Sequence, residues 1–132
     1  MRECEHIVHA GDVGNPEVLD VLRRLAPLTV VRGNNDSGTW ASALAATAHV
    51  TIGRARIYVL HDIAHLDLDP AACGYRLVVS GHSHRPAIET RAGVVFVNPG
   101  SAGPRRFRLP VTVAVIEVDG GELRARIVSL LD

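Results

Sequence analysis

Four short apolar runs in this chain stop directly at a polar residue able to hold a metal ion, and this repeated junction constrains the fold more than any single motif. Residues 6–10 end at Gly11-Asp12, residues 28–32 at Gly33-Asn34, residues 55–60 at His61, and residues 77–80 at Gly81-His82-Ser83-His84. In α/β sheets the crevice beyond the carboxyl ends of the strands is where ligands bind, so strands laid side by side would bring these residues to one edge. Taken singly, each junction is an ordinary turn or a satisfied histidine. The conjunction is what points to a site.

The stretches between the junctions fill in the architecture. Asn15-Pro16-Glu17 offers an N-cap, a proline at the first helical position and an acid in the first turn. Val18, Leu19, Leu22 and Leu25 then recur at helical spacing, which predicts an amphipathic helix ending near Leu25 and a βαβ unit over residues 6–32. Alanines over residues 37–46 predict a second helix, and strands follow over 49–52 and 55–60 around Gly53. One helical turn is expected at 70–73. Beyond Gly81 the pattern changes to hairpins, over 87–91 with 94–98 and over 111–118 with 123–130. An α/β front and an antiparallel back predict two packed sheets with helices outside.

Composition narrows the function classes. At 132 residues, with 47% apolar and 21% charged residues, the chain is one ordered domain's worth. Its 14 basic residues balance 14 acidic ones, so it carries no global field to gather nucleic acid or anionic membrane. Aromatics at 4% supply no stacking platform for single-stranded nucleic acid. The longest apolar runs fall well short of the roughly 20 residues that span a bilayer. A polar N-terminus without a secretory apolar run, and two cysteines (Cys4, Cys73) outside any CxxC pattern, suit a reducing, cytoplasmic setting.

Seven histidines direct attention to metal chemistry. Within Gly81-His82-Ser83-His84, two imidazoles one residue apart can splay onto different ions, while the glycine lets the chain turn tightly after its strand. A His, Asp and Asn set without cysteine favours Mn²⁺, Fe²⁺ or Zn²⁺ in a working site over a structural zinc. His61-Asp-Ile-Ala-His65 has HExxH spacing, but Asp62 replaces the glutamate and the segment follows a β-type run instead of lying within a helix. It is therefore not read as a zincin site.

Gly11-Asp12, Gly33-Asn34-Asn35-Asp36, Leu60-His61 and Gly81-His82-Ser83-His84, in that order, resemble the GD, GN[HC][DE], GH and GHxH blocks of calcineurin-like metallophosphoesterases. Asn98-Pro99-Gly100-Ser101 with Pro104-Arg105 resembles the NPGS and PR stretch of the small YfcE-like phosphodiesterase branch. The resemblance covers nearly the whole chain. It implies a single domain over 1–132 with the family's α/β four-layer sandwich, two packed, mainly mixed β-sheets flanked by helices. It implies metal ligands at Asp12, Asn34, His61, His82 and His84, with Asp12, Asn34 and His82 central to catalysis. Asp12 would bridge two ions, Asn34, His61 and His82 would complete one site, and His84 would belong to the other. Attack on phosphorus by a metal-held hydroxide is the implied reaction. The implied cofactor is a divalent ion, Mn²⁺ first, with Fe²⁺, Ni²⁺ and Zn²⁺ as alternatives. Asn35, Asn98 and Arg105 are candidates for the phosphate side or for supporting the ligands; a turn and a solvated charge are equal readings of the last two.

Three departures qualify the resemblance. Asn35 stands where many relatives carry histidine and cannot act as a general acid at neutral pH, which favours diesters or good leaving groups. Leu60 stands where the family usually has glycine. The family's opening strand, ending in Asp-x-His, and the helix after it have no counterpart here, so the N-terminal βα unit is expected to be missing. Three readings follow: a two-metal phosphodiesterase whose sequence is shortened, a one-metal enzyme on Asp12, Asn34, His61 and His82, or a non-catalytic interaction module like the retromer subunit that shares the fold. The expected substrate is a small phosphodiester or nucleotide. Self-association that covers the edge left by the missing strand is a further expectation.

Overall fold

The order of the chain's strands in space is not their order in sequence. The computed structural model describes residues 6–11, 16–33, 38–42, 44–83, 86–100, 112–119 and 122–129. Strand β1 (Ile7–His9) leads to helix α1 (Pro16–Leu25) and strand β2 (Leu28–Val30), which pairs with β1 in parallel, the expected βαβ unit. Pro16 opens α1, where its lack of an N–H costs nothing. Glu17 in the first turn and Arg23 and Arg24 in the last complement the helix dipole. A short helix α2 (Thr39–Ser42) follows, then strands β3 (Thr47–Ile52), β4 (Ala55–Leu60), β5 (Leu77–Val79), β6 (Ala87–Arg91) and β7 (Val94–Asn98). They form one five-stranded sheet in the order β3-β4-β5-β7-β6. Strands β8 (Thr112–Asp119) and β9 (Glu122–Ser129) make a separate antiparallel pair.

Turn chemistry sets the hairpins. Gly53, at φ 58°, takes the first central position of the two-residue β3–β4 turn, where a type II′ turn requires glycine. Ala92 (φ 52°) and Gly93 (φ 79°) both have positive φ, the signature of a type I′ turn, and close the β6–β7 pair. The parallel pairing of β5 with both β4 and β7 places three strand carboxyl ends side by side.

Both faces of the sheet's central strands are covered, while β6 is exposed along its length. On one side Ile57, Val59, Leu77, Val79 and Val97 join Ala10 and Val31 from the ends of β1 and β2, with Ala114, Ile116, Leu123 and Ala125 of the β8–β9 pair packed around them. On the other, Tyr58, Leu60, Tyr75, Val78 and Val94 are buried beneath Leu66, Leu68 and Phe96. Central parallel strands covered on both faces read as continuous apolar runs, which is why Leu77, Val78 and Val79 do not alternate.

The mixed α/β architecture agrees with the sequence reading, with two differences. The second helix is one turn, not the ten residues that alanine content suggests. The Arg32 N–H donates to the Ala45 carbonyl (2.9 Å), drawing that segment alongside the end of β2, and tertiary pairing overrides propensity. The layer opposite the five-stranded sheet is not one sheet: among the described residues it comprises two separate strand pairs, β1–β2 and β8–β9.

Candidate metal centre

Hydrogen bonds that continue the strand ladders bring His61 and His82 together. Beyond β4 and β5, the Gly81 N–H donates to the His61 carbonyl (2.8 Å), and the Ser80 N–H donates to Val97 (3.0 Å). Beyond β1 and β2, the Val31 N–H donates to His9 (3.1 Å). Ala10, Gly33, His61, Gly81 and Asn98 therefore lie at one end of the molecule, the carboxyl ends of β1, β2, β4, β5 and β7.

His61 is 8% exposed, and its Nδ1 lies 2.7 Å from the Ala10 carbonyl oxygen. A carbonyl oxygen only accepts, so Nδ1 is the donor of this bond and Nε2 is the nitrogen turned to His82. That Nε2 lies 3.3 Å from Nδ1 of His82, with the rings edge-on at 79°. Glycines make this approach possible. A Cβ on Gly11 (φ 102°) would fall 2.6 Å from His61 Nδ1 and 2.8 Å from the Gly33 Cα.

The loop bearing His82 is bent sharply. The Ser83 N–H donates to the carbonyl of Gly81 (2.8 Å) around His82 at φ 68°, the rarer and more strained γ-turn. Asn98 clamps the bend. Its Nδ2 donates to the Gly81 carbonyl (2.9 Å) and to Ser83 Oγ (3.0 Å), while its Oδ1 accepts from the Gly100 N–H (3.0 Å). Asp62 closes the near side: Oδ1 accepts from the Ala64 N–H (3.0 Å), capping the short 3-10 helix Ile63–His65, and Oδ2 lies 3.7 Å from His82 Nε2.

The arrangement fits a metal ion. Two imidazole nitrogens on one tetrahedral zinc, each at ~2.0–2.1 Å, sit about 3.3–3.4 Å apart, close to the separation found. Metal-binding histidines also characteristically donate their other N–H to a backbone carbonyl or carboxylate, as His61 does to Ala10. Among the described residues no group of three or more His, Cys, Asp or Glu is arranged to hold a metal ion. Of the expected ligands, His61 and His82 are brought together; Asp12, Asn34 and His84, with Asn35 and Arg105, lie outside the described residues. Asn98, one of the supporting candidates, proves to be the clamp of the His82 loop. His65 is exposed in a three-residue 3-10 helix that does not include His61, which accords with rejecting the HExxH spacing. Sequence reasoning set Asp62 aside with the HExxH spacing and passed over the Ala10 carbonyl.

The calcineurin-like phosphoesterase superfamily domain model matches residues 1–121. A probable metallophosphoesterase of Methanothermobacter thermautotrophicus is 34% identical over 133 residues, spanning 96% of this chain and 77% of the relative. This chain belongs to the calcineurin-like phosphoesterase superfamily. Its fold is also that of Vps29 of Entamoeba histolytica complexed with zinc (TM-score 0.73, 22% identity, 95% of this chain and 82% of that one). A structure described as a novel archaeal phosphodiesterase is likewise similar (TM-score 0.69, 20% identity, 94% and 83%).

Proposed function

We propose that this domain is a divalent-metal phosphodiesterase acting on a small phosphodiester or nucleotide. The observation that carries the reading is the 3.3 Å approach of His61 Nε2 and His82 Nδ1, with the other nitrogen of His61 tied to Ala10. His61 and His82, together with Asp12 and Asn34, would hold one ion; Asp12 and His84 would help to hold a second. When bound, the ions supply Lewis acidity, which makes hydroxide available near neutral pH and offsets charge on the phosphoryl oxygens.

The chain's own residues divide the remaining work. The Ala10 carbonyl holds the His61 ring in one orientation, and Asn98 keeps the His82 turn closed. Asn35, in the place where many relatives carry histidine, has no proton to give a leaving group at neutral pH. Diesters, or substrates with good leaving groups, are therefore favoured over demanding monoesters. Arg105 is the candidate to face substrate phosphate. Mn²⁺ is the proposed ion, ahead of Fe²⁺, Ni²⁺ and Zn²⁺. The test is hydrolysis of bis-p-nitrophenyl phosphate by the purified chain with each ion in turn. Mn²⁺-dependent turnover, lowered at least about a hundredfold in His82→Ala, is expected.

One observation favours a second reading, a non-catalytic interaction module. Val8, Ala114, Ile116, Leu123 and Ala125 are only partly buried in the layer formed by the two strand pairs. Absence of turnover with every ion, in a folded protein, would support this reading against the first.

A further inference from the structure

We infer that the outer edge of β6 is a self-pairing surface: two copies of this chain join antiparallel through it, about a two-fold axis at Thr90. β6 ends the five-stranded sheet, pairs only with β7 among the described residues, and is exposed at every position. Which of its backbone groups face outward follows from β7. The Val95 N–H donates to the Arg76 carbonyl (3.0 Å) and the Val97 carbonyl accepts from the Ser80 N–H (3.0 Å), so these two residues turn toward β5. Val94, Phe96 and Asn98 therefore turn toward β6 and tie its Arg91, Glu89 and Ala87 inward, as the two-residue turn at Ala92-Gly93 also requires. The N–H and C=O groups of Ile88 and Thr90 point away from the sheet.

An exposed edge accepts another strand unless its side chains forbid it. A second copy can pair only in registers that set outward-facing residues opposite one another, and the side chains rank these registers. Ile88 opposite Ile88 sets Thr90 against Pro86, which has no N–H to give. Ile88 opposite Thr90 brings the two Glu89 carboxylates face to face, and Thr90 opposite Ala92 does the same to the two Arg91 guanidinium groups. With Thr90 opposite Thr90, the threonines exchange both backbone hydrogen bonds, and each Glu89 meets Arg91 of the second copy in a closely spaced pair, ~4.5 Å between Cα atoms. The side chains are set for this register. Glu89 and Arg91 share one face, 65% and 58% exposed, and the Arg91 guanidinium is held at the edge by the Phe96 ring, 4.3 Å from its centre. On the opposite face Ile88, 40% exposed, gains Ala92 of the second copy as cover. Charges that ordinarily blunt an edge here match across the axis. The antiparallel pairing sends the two pairs of His61 and His82 to opposite ends of the joined sheet.

Sedimentation equilibrium of the purified chain, from micromolar to millimolar loading, should show a monomer–dimer equilibrium that weakens with added salt. Thr90→Pro removes an outward N–H without touching a bond to β7, and should leave a folded monomer. Glu89→Arg and Arg91→Glu each set like charges across the axis in both pairs, and each should raise the dimer dissociation constant on the order of tenfold or more. Mixed in equal amounts, these two variants should form a heterodimer, because every pair across the axis is then of opposite charge. Circular dichroism of each variant separates loss of pairing from loss of fold; if Thr90→Pro unfolds, the two charge variants and their mixture decide, since both side chains are largely exposed. A chain that stays monomeric at every concentration would overturn the inference. So would a dimer that persists in Thr90→Pro and in both charge variants, which would place the contact elsewhere, such as on the β1–β2 pair, or a mixture that pairs no better than its components.

Discussion

Leu77 and Leu123 belong to the same apolar cluster but are closed off to different degrees. Leu77, in β5, has a parallel strand on each side and is 0% exposed; Leu123, in β9, packs against that cluster while remaining only partly buried. The five-stranded sheet is continuous and its central strands are covered on both faces, whereas among the described residues the opposing layer is two pairs, each with a single partner strand. His61 and His82 come directly after or soon after β4 and β5, and Asn98 ends β7, all strands of the five-stranded sheet. Asp12 and Asn34 come after β1 and β2 in sequence and lie outside the described residues.

The comparison breaks most directly by truncating the two leucines. Leu77→Ala should cost about 2–5 kcal/mol in urea unfolding, and Leu123→Ala roughly half as much, because part of its surface is already hydrated. Equal losses would mean that the layers are equally closed. A smaller effect contrasts two glycines at the strand ends. Gly11→Ala must relieve a Cβ 2.6 Å from His61 Nδ1 at a φ of 102°, and should cost roughly 2–3 kcal/mol while loosening His61. Among the described residues Gly81→Ala meets nothing nearer than the Ala10 carbonyl oxygen at 3.4 Å and should stay within about 1 kcal/mol, as read by thermal unfolding. Asn98→Ala should cost about 1–2 kcal/mol, between the two glycine effects, with faster amide exchange at Ser83 and Gly100. Asn98→Asp should do no better than alanine, because it sets an oxygen against the Gly81 carbonyl.

Much of this was legible in the sequence because its causes are local. Pro16 marks the first residue of α1, Gly53 and Ala92-Gly93 mark their hairpins, and the apolar runs before His61 and His82 mark β4 and β5. What escaped depends on partners distant along the chain. The parallel union of β5 with β7 joins strands separated by the whole β6 hairpin, and no local pattern encodes it. Asn98 looks like a turn residue in sequence, yet its amide acts on Gly81 and Ser83 across 17 and 15 positions. Asp62 carried a misleading signal: as the mismatched acid of an HExxH spacing it was discarded together with that motif, and only the fold turns it toward His82.

The bend at His82 bears on how the residue can be removed cleanly. A left-handed φ of 68° is comfortable for glycine and costs an alanine roughly 1–2 kcal/mol. Histidine already bears that penalty, so alanine removes the imidazole while keeping the strain, whereas glycine removes both. Glycine leaves the corner at ease and opens a ring-sized vacancy beside His61, so free imidazole added to His82→Gly becomes a chemical complement for the missing side chain. The corner that makes this position expensive for most residues also makes it suited to restoring function with a small molecule.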